Sequence, residues 1–465
     1  MDTQKKLHKN PHISIIEKNN HFLLINHDQT SWLRTNESGK FIFDQCDGSM
    51  NFDEIVEHNA KIFEIDPSLI KESINDFVCQ CLDKEILFAS DNGAQQDSSV
   101  KAASAKEEEA IVDISLHLSN ECNLVCWYCP NRKSAVSEVK EMSQVNFGKI
   151  VREISLINPT NIILTGGEPL LRDDIIDICR IAKESGHRVT IMTNLTRGDK
   201  SFFEDLLKYL DRLIISLDGP TADVNDAIRG AGSFDDVVSR IKMLKELGFE
   251  TMGVCHTPDK SNVDSSPQMI DFIYKYKLKE LIINRVFPLN QNIDQSKMLS
   301  DEEFAALYTK IGARFKQWIT KQLDQSITRG VGLELVLLKA TGIDATDVFF
   351  DGAKGKSCGL GVTKLSVDVD GNLYPCRFLH RSEFNLGNIL EEGFQNVYKV
   401  SLEKYRPMRH ETPEECADCY LEQLCDRGCR ASSFYVKSDL SKKDTLCQTI
   451  YADIERVIWG SSLDE

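Results

Sequence analysis

The sequence predicts an α/β protein in which an open, partial (β/α)6 barrel follows a small winged-helix-like domain and precedes a Cys-rich domain. Three observations predict this fold class. Strand-like and helix-like segments alternate over residues 110–300, a polar stretch separates this region from residues 11–90, and seven of the 15 Cys lie in residues 358–447. The length of 465 residues also exceeds the roughly 100–200 residues of one domain.

Composition and charge exclude several classes of protein. A hydrophobic fraction of 41% and a charged fraction of 27% are typical of a globular protein. The net charge of −17 repels phosphate backbones and argues against a nucleic-acid partner. No stretch approaches the ~18 apolar residues of a membrane helix, and the first residues lack the apolar segment of a secretory signal. We therefore expect a cytoplasmic protein without a membrane partner, whose Cys bind metal rather than form disulfides.

Residues 11–90 form the predicted N-terminal domain. Apolar runs at residues 21–26 and 30–33 lie on either side of the turn sequence Asn-His-Asp-Gln, which predicts a β-hairpin. Apolar residues at helical spacing follow, and a strand pair followed by short helices is the pattern of a winged-helix module. The polar residues 91–109 then predict a flexible linker and a domain boundary.

Residues 110–300 alternate between strand-like and helical patterns. One helical pattern is Asp235–Leu247, whose apolar residues share a face. The strand-like runs are Val112–Leu118, Asn161–Thr165, Val189–Thr193, Leu213–Leu217, Met252–Cys255 and Leu281–Val286. Such alternation predicts βαβ units and a parallel sheet, and six units fall short of the eight in a closed barrel. In barrels of this kind the chemistry lies at the C-terminal ends of the strands.

Three segments complete the predicted organisation. Residues 301–357 are predicted to form a helical bridge, because Phe304, Leu307 and Ile311 have helical spacing. Residues 358–447 have few long apolar runs, so we expect metal to organise them. Residues 448–465 are predicted to contain a short C-terminal helix.

A Cys motif lies directly after the first predicted barrel strand. Cys122, Cys126 and Cys129 have the spacing CxxxCxxC. Three thiolates suit a four-iron cluster that keeps one iron without a protein ligand. Zinc is the alternative, but a structural zinc site uses four ligands, and no His or fourth Cys lies at zinc-finger spacing.

This motif resembles the signature of radical S-adenosylmethionine (SAM) enzymes. Tyr128 before the third Cys is aromatic, as is common in that family, and residues 165–169 match its Gly-Gly-Glu-Pro motif at the end of the second strand. The resemblance implies that this motif holds the methionine amino group of SAM, that Ser216 contacts the ribose, and that Arg229 pairs with the SAM carboxylate. The SAM-binding candidates are Tyr128, Gly166, Gly167, Glu168, Asn194, Ser216 and Arg229. For each polar residue alone, a solvated loop position is the alternative.

The resemblance also implies a reaction. In this family the cluster passes one electron to the sulfonium of SAM, a C–S bond breaks, and the resulting 5′-deoxyadenosyl radical abstracts a substrate hydrogen. An electron donor such as flavodoxin or ferredoxin would then be a partner.

The C-terminal Cys array resembles the SPASM domain, which holds two auxiliary [4Fe-4S] clusters. By this resemblance one cluster is held by Cys416, Cys419, Cys425 and Cys447, and the inner cluster by Cys358, Cys376 and Cys429. Some relatives supply a fourth Cys to the inner cluster, where this sequence has Lys364. The inner cluster is therefore expected either to keep an open iron, which could take a substrate thiolate, or to use an unidentified ligand.

The N-terminal domain resembles the PqqD-like recognition domain of enzymes that modify ribosomally made peptides. The matching segments are Thr35–Gly39, Cys46–Gly48 and Phe52–Val56. In that family a leader peptide adds as a strand to the edge of the hairpin sheet. The combined architecture resembles radical SAM maturases of such peptides, which implies a precursor peptide as substrate and partner.

The open iron favours a thioether crosslink from a precursor Cys. Carbon–carbon crosslinking and epimerisation are alternatives, as are electron transfer without catalysis and a radical SAM oxidoreductase acting on another substrate. Sulfatase maturases carry an Asp base after the second SPASM Cys, but here Arg377 follows Cys376, which argues against that activity. Candidate peptide-positioning residues near the barrel mouth are His256, Asn284, Arg285, Tyr374 and Arg377.

Overall fold

A computed structural model describes residues 4–18, 20–26, 31–90, 111, 113–129, 140–157, 161–290, 293–319, 358–419, 428–447 and 449. These residues fall into two compact units, 4–90 and 111–449. The predicted linker, residues 320–357 of the predicted bridge, Cys425 and nearly all of the predicted C-terminal helix lie outside the described residues.

The first unit contains two three-stranded sheets and three helices. Its strands are β1 (Lys6–Lys9), β2 (Ile13–Lys18), β3 (His21–Asn26), β4 (Ser31–Asn36), β5 (Asp47–Asn51) and β6 (Leu87–Ser90). Its helices are α1 (Glu37–Gln45), α2 (Phe52–Ile62) and α3 (Pro67–Asp83). The predicted hairpin is present, because β3 pairs antiparallel with β4, and β2 completes the order β2-β3-β4. The second sheet has the order β5-β1-β6, so residues before position 11 also belong to this unit.

Local sequence explains where the three helices begin. The Asn36 side chain accepts a hydrogen bond from the Gly39 amide at 3.1 Å and caps α1. Asn51 and Glu54 form a capping box at the start of α2. Asp66 caps α3, and Pro67 occupies its first turn, where no backbone N–H is needed. The helices pack on a core that includes fully buried Leu24, Ile55, Val78 and Ile86.

The second unit contains the predicted parallel sheet. Its first six strands are β7 (Asp113–Ser119), β8 (Asn161–Gly166), β9 (Arg188–Thr193), β10 (Arg212–Ser216), β11 (Met252–His256) and β12 (Glu280–Ile283). Its helices in this region are α4 (Gln144–Ser155), α5 (Ile175–Glu184), α6 (Lys200–Leu206), α7 (Ala222–Arg229), α8 (Ser233–Glu246) and α9 (Met269–Lys275). The strands pair in parallel in the order β12-β11-β10-β9-β8-β7, which confirms the fold class.

The C-terminal region extends this sheet, which the sequence did not predict. Strand β13 (Lys364–Val367) runs parallel to β7, and β14 (Leu373–Tyr374) pairs antiparallel with β13. Leu365 is 3% exposed, and Val367 and Leu373 are fully buried. Apolar residues that are scattered along the chain meet across this sheet, so burial also contributes to the stability of a region that we expect metal to organise.

Four helices complete the described structure. They are α10 (Asp301–Ile319), α11 (Ile389–Glu392), α12 (Phe394–His410) and α13 (Arg430–Lys437). In α10, the predicted apolar face is buried at Phe304, Leu307 and Ile311. Within the ranges that the structure covers, no helix is both long and apolar enough to cross a membrane.

Candidate functional site

The first Cys motif lies in the loop that leaves strand β7. Cys126 is buried, and Cys122 and Cys129 are half-buried. The Cys129 amide donates to the Cys126 carbonyl at 3.2 Å, and the Leu124 amide approaches Cys122 Sγ at 3.5 Å. Burial raises the pKa of the Cys122 and Cys126 thiols, and the Arg229 charge acts in the opposite direction on both. A bound cation would stabilise the thiolate forms of these thiols.

The two glycines after strand β8 pack against this loop. The Gly167 amide donates to the Ser119 carbonyl at 2.7 Å, and the Glu168 amide donates to the Glu121 carbonyl at 2.7 Å. A Cβ at Gly167 would collide with the Glu121 backbone, and Gly166 has φ +123°. Glycine is thus required here by the close approach of the Cys loop, in addition to any approach of SAM.

The Glu168 carboxylate is bound by its own chain. It is 1% exposed and accepts hydrogen bonds from Thr193 Oγ1 at 2.6 Å, the Asn194 amide at 2.6 Å and the Leu170 amide at 2.9 Å. Burial raises its pKa, and these hydrogen bonds act in the opposite direction. Glu168 therefore joins the ends of β8 and β9, and this fixes the strand ends that face the Cys loop.

Asn194 connects the end of β9 to the Cys loop. Its side-chain nitrogen donates to Asn123 Oδ1 at 2.9 Å and lies 3.8 Å from Cys122 Sγ. Asn123 in turn donates to Thr196 Oγ1 at 2.8 Å. The structure thus brings Asn194 to the first Cys, whereas Ser216 is half-buried at the end of β10, paired in register with Cys255.

Tyr128, Arg229 and Asp218 form a buried cluster beside Cys126. Arg229 Nε lies 2.7 Å from Asp218 Oδ2, and Arg229 Nη2 donates to the Tyr128 hydroxyl at 2.5 Å. Tyr128 donates to the same Asp218 oxygen at 2.5 Å, because burial raises its pKa well above the usual value and keeps it protonated. Sequence reasoning did not identify Asp218, although it lies only two residues after Ser216, the predicted contact of the SAM ribose.

The three predicted ligands of the inner cluster line one cavity. Cys358, Cys376 and Cys429 share a cavity of about 190 Å³ with Lys364 and with inward-facing residues of the barrel strands. Burial raises the pKa of Cys376 to about 11, and the Cys358 thiol adds to the effect. Burial also raises the pKa of Cys429 well above its usual value, again with contributions from the other two thiols. Lys364 lies in the same cavity as these three thiols.

Three of the four predicted ligands of the outer cluster also lie near one another. Burial raises the pKa of Cys416 to about 11, and the neighbouring Cys447 and Cys419 thiols contribute. The Cys419 amide donates to the Cys416 carbonyl at 3.1 Å. Cys425 lies outside the described residues.

Asp444 connects the Cys of the inner cluster site with those of the outer cluster site. Sequence reasoning did not identify this residue either. Its Oδ2 accepts from the Cys429 amide at 2.8 Å, and its backbone carbonyl accepts from the Cys447 amide at 3.1 Å. Arg285 Nη1 lies 3.2 Å from Asp444 Oδ1, which ties this loop to the end of β12. No local signal distinguishes this Asp from the chain's other acidic residues.

The candidate peptide-positioning residues separate into two groups. His256 is buried and bonds to Ser266 Oγ at 2.7 Å, and Tyr374 stacks on His380 at 4.3 Å, so both have structural partners. Asn284, Arg285 and Arg377 line the inner-cluster cavity.

The grouped thiols fit iron–sulfur clusters. Soft thiolates are the ligands that such clusters take, and partly buried sites limit contact with water. No three Cys, His, Asp or Glu side chains converge on a single metal ion in the described part of the chain. A cluster does not require such convergence, because its thiolates bind different irons.

Three family models match the chain. Residues 22–87 match the model of coenzyme PQQ synthesis protein D, residues 116–273 that of the radical SAM superfamily, and residues 358–420 that of the SPASM iron–sulfur cluster-binding domain.

Relatives with known names match over most of the chain. The mycofactocin maturase MftC of Mycolicibacterium smegmatis is 29% identical, over 73% of this chain and 83% of its own. The AdoMet-dependent heme synthase of Methanosarcina barkeri is 25% identical, over 72% of this chain and 95% of its own.

Two solved structures share the fold. The enzyme anSMEcpe with bound AdoMet has a TM-score of 0.63 at 17% identity, covering 75% of this chain and 97% of its own. SuiB of Streptococcus suis bound to S-adenosylmethionine has a TM-score of 0.58 at 17% identity, covering 95% of this chain and 100% of its own.

The matches to the PqqD, radical SAM and SPASM family models, in this order along the sequence, identify the chain as a radical SAM enzyme with a PqqD-like domain and a SPASM domain, whose cofactors are SAM and [4Fe-4S] clusters.

Proposed function

We propose that this enzyme is a maturase that modifies a ribosomally made precursor peptide by forming a thioether from a Cys of that peptide. The observation that carries the proposal is the PqqD-like unit ahead of the radical SAM barrel. A peptide substrate gives this unit a purpose, since such domains bind leader peptides. The name of the relative MftC and the solved complex of SuiB with its precursor peptide SuiA support a peptide substrate.

The leader peptide binds as an added strand in this proposal. In the sheet β2-β3-β4 the outer strands, among the described residues, are β2 and β4. An outer strand can pair its backbone groups with an extended peptide, and alternate side chains of the peptide then set the register. The N-terminal unit thus binds the precursor through its leader.

The chain's own residues hold and orient the cofactors in this proposal. Cys122, Cys126 and Cys129 hold the first cluster. When bound, this cluster and SAM supply a 5′-deoxyadenosyl radical that takes a hydrogen atom from a substrate carbon. Asn194 and Tyr128, which contact the Cys loop or lie within it, fix that loop beside the strand ends.

The SAM-facing polar groups belong to the same proposal. Ser216 contacts the ribose, and the Gly166–Glu168 segment contacts the methionine amino group. Arg229 pairs with the SAM carboxylate through guanidinium donors that Asp218 and Tyr128 leave available, since the guanidinium has five.

The inner auxiliary site favours a thioether over other products. Cys358, Cys376 and Cys429 hold the inner cluster, and Lys364 lies in the same cavity in place of a fourth thiol. An iron without a protein ligand accepts a thiolate, and the nearby Lys364 ammonium favours an anion.

The outer cluster is held by Cys416, Cys419, Cys425 and Cys447 in this proposal. A donor such as flavodoxin or ferredoxin supplies electrons to the enzyme. The many metal-binding thiols favour the reducing cytoplasm.

A porphyrin substrate is the second candidate, because heme synthases are among the relatives. Such a small substrate would leave the PqqD-like unit without a role, so we favour the peptide.

The test is co-expression with a candidate precursor, namely a short Cys-containing peptide encoded beside the gene. We expect the peptide to lose two hydrogens and one alkylatable thiol, and the purified enzyme with SAM and reductant to release 5′-deoxyadenosine. Cys126→Ala should abolish both, because the first cluster loses a ligand. Cys79→Ala, which removes a half-buried thiol from α3, is the matched control and should change neither.

Three outcomes would contradict parts of this proposal. 5′-Deoxyadenosine from Cys126→Ala would remove the role of the first Cys motif. Loss of two hydrogens with every thiol still alkylatable would indicate a carbon–carbon crosslink. An unchanged mass with an inverted residue would indicate epimerisation.

A further inference from the structure

Arg377 contacts residues at the C-terminal ends of two barrel strands. It follows Cys376 in the C-terminal region, yet its Nη2 donates to Asn284 Oδ1 at 3.0 Å and its Nη1 lies 3.5 Å from Met192 Sδ. Asn284 follows β12, and Met192 lies near the end of β9. The guanidinium carbon also lies 4.8 Å from the centre of the Phe378 ring. Contacts with two strand ends and a ring hold this side chain over the cavity.

Arg377 also lies near both predicted reaction centres. Its charge acts on the pKa of Cys376, a predicted ligand of the inner cluster. It also acts on the pKa of Cys255, which burial raises and which Asp218 and Arg229 affect as well. Cys255 at the end of β11 is therefore within electrostatic range of Arg377 and of the Asp218–Arg229 pair.

The other arginines of this cavity have carboxylate partners. Arg212 pairs with Glu280, and Arg285 pairs with Asp301 at 2.9 Å and with Asp444 at 3.2 Å. Within the described ranges, Arg377 makes no ion pair, and its contacts are an amide oxygen, a thioether sulfur and an aromatic ring. His117 adds no charge here, because burial lowers its pKa to about 3.

We propose that Arg377, oriented by Asn284 and Phe378, binds a carboxylate of the substrate peptide in this cavity. The carboxylate belongs either to an Asp or Glu side chain or to the peptide's C-terminus. A guanidinium offers parallel N–H donors that match a carboxylate, and its hydrogen bonds to an anion are roughly twice as strong as neutral ones. Arg377 is thus a specificity-determining residue that selects peptides with an acidic group near the modified carbon. The inference rests on the proposed function only for the identity of the ligand as a peptide.

Binding without turnover tests this proposal. Full-length enzyme with reconstituted clusters and saturating SAM, but without reductant, is dialysed to equilibrium against capped peptides at millimolar concentration. One pair is acetyl-Ala-Ala with a free or an amidated C-terminus, and the other is acetyl-Glu or acetyl-Gln N-methylamide. We expect the carboxylate member of one pair to bind about tenfold or more tightly than its neutral partner, and the responding pair identifies the source of the carboxylate.

Two variants should abolish this preference by different routes. Arg377→Gln removes the cation, and Asn284→Asp supplies an internal carboxylate that neutralises it without changing the Cys loop. Both should bring the carboxylate-to-amide ratio close to one. Arg381→Gln is the matched control, because Arg381 is exposed on the same loop and pairs with Glu383, and it should keep the full preference.

The outcomes separate this site from its alternatives. Undetectable binding or equal binding within both pairs in the unmodified enzyme would overturn the proposal, as would a preference that survives in both variants. A preference that survives in Arg377→Gln while the inner cluster's reduction potential shifts would mean that Arg377 only balances cluster charge. Because no radical chemistry occurs in this assay, failure of peptide maturation in co-expression would not affect its result.

Discussion

At the residue scale, Asp218 holds the Cys loop and the proposed SAM contacts Tyr128 and Arg229 together. It is fully buried, and its carboxylate accepts from Tyr128 and from the Thr257 amide at 2.8 Å while it pairs with Arg229. Its own amide donates to Asn225 at 2.9 Å. These contacts join the Cys loop, the end of β10 and the end of α7, so one carboxylate orients two of the proposed SAM contacts.

Replacement of this carboxylate should destabilise the protein strongly. Asp218→Asn leaves the buried Arg229 charge without a counter-charge, which costs about 3–5 kcal/mol when one partner of a buried pair is removed. The midpoint of anaerobic thermal unfolding should fall accordingly. The double variant Asp218→Asn, Arg229→Met should recover much of the loss, because both charges are then absent.

An exposed pair provides the control for this cycle. Asp205 and Lys208 lie 2.6 Å apart with each side chain 61% exposed. Asp205→Asn should change stability by less than about 1 kcal/mol. A similar small effect at Asp218, or a double variant as unstable as the single one, would show that the buried charge pair is not what fixes Arg229.

Buried carboxylates such as Asp218 and Asp444 show which parts of the site the sequence could not predict. The candidate ligand Cys could be predicted because their spacings are local and rare, and Gly166–Glu168 because it is a continuous motif after a strand. Asp218 and Asp444 are two among 72 acidic residues, and some of their partners lie far away in sequence, as Tyr128 does from Asp218 and Arg285 does from Asp444. Long-range pairing, rather than residue type, gives them their roles.

At the scale of elements, the end of β8 and the Cys loop form one packed structure. Backbone hydrogen bonds join Gly167 to Ser119 and Glu168 to Glu121, and a Cβ at Gly167 would meet the Glu121 backbone. Because backbone atoms cannot move aside as a flexible side chain can, the loop itself would have to shift.

Gly167→Ala should therefore displace the first cluster. We expect the variant to retain its auxiliary clusters but to lose about one cluster's share of iron, together with SAM cleavage. Iron analysis and electron paramagnetic resonance of the reduced protein measure both. Gly148→Ala on α4 is the matched control, because its added Cβ meets the nearest atom at 3.5 Å, and it should leave iron content unchanged. Full iron loading of Gly167→Ala would contradict the packing role.

Element prediction succeeded where the pattern was long and failed where it was short. The six strands of the barrel were predicted from repeated strand–helix alternation, and the order and direction of their pairing confirm that interpretation. Strand β13 has only four residues, Lys-Leu-Ser-Val, which no periodicity can identify. Its partner β7 lies 251 residues earlier at the Ser115–Ser366 contact, so only the folded chain reveals the pairing.

At the scale of the whole molecule, the two units have separate cores. The core cluster of the first unit, which includes Leu24, Ile55 and Val78, draws all its members from residues before position 90. The barrel and the C-terminal region instead share one sheet through β7 and β13. A polar stretch in the sequence marks the separation of the two units, whereas no sequence pattern indicates that β13 of the Cys-rich region pairs with β7 of the barrel.

Removal of residues 1–95 should consequently weaken precursor binding without changing the rate of SAM cleavage. The remaining chain keeps its own core and all ten candidate cluster ligands, so reductive SAM cleavage without peptide should proceed at an unchanged rate. Affinity for the precursor should fall by at least about tenfold, because a leader and a reactive segment on one peptide bind as two tethered groups. Fluorescence anisotropy of a labelled precursor measures affinity, and chromatographic assay of 5′-deoxyadenosine measures cleavage. A precursor that lacks its leader is the control and should bind both forms equally. Equal affinity of the intact precursor for both forms would remove the recognition role of the N-terminal unit.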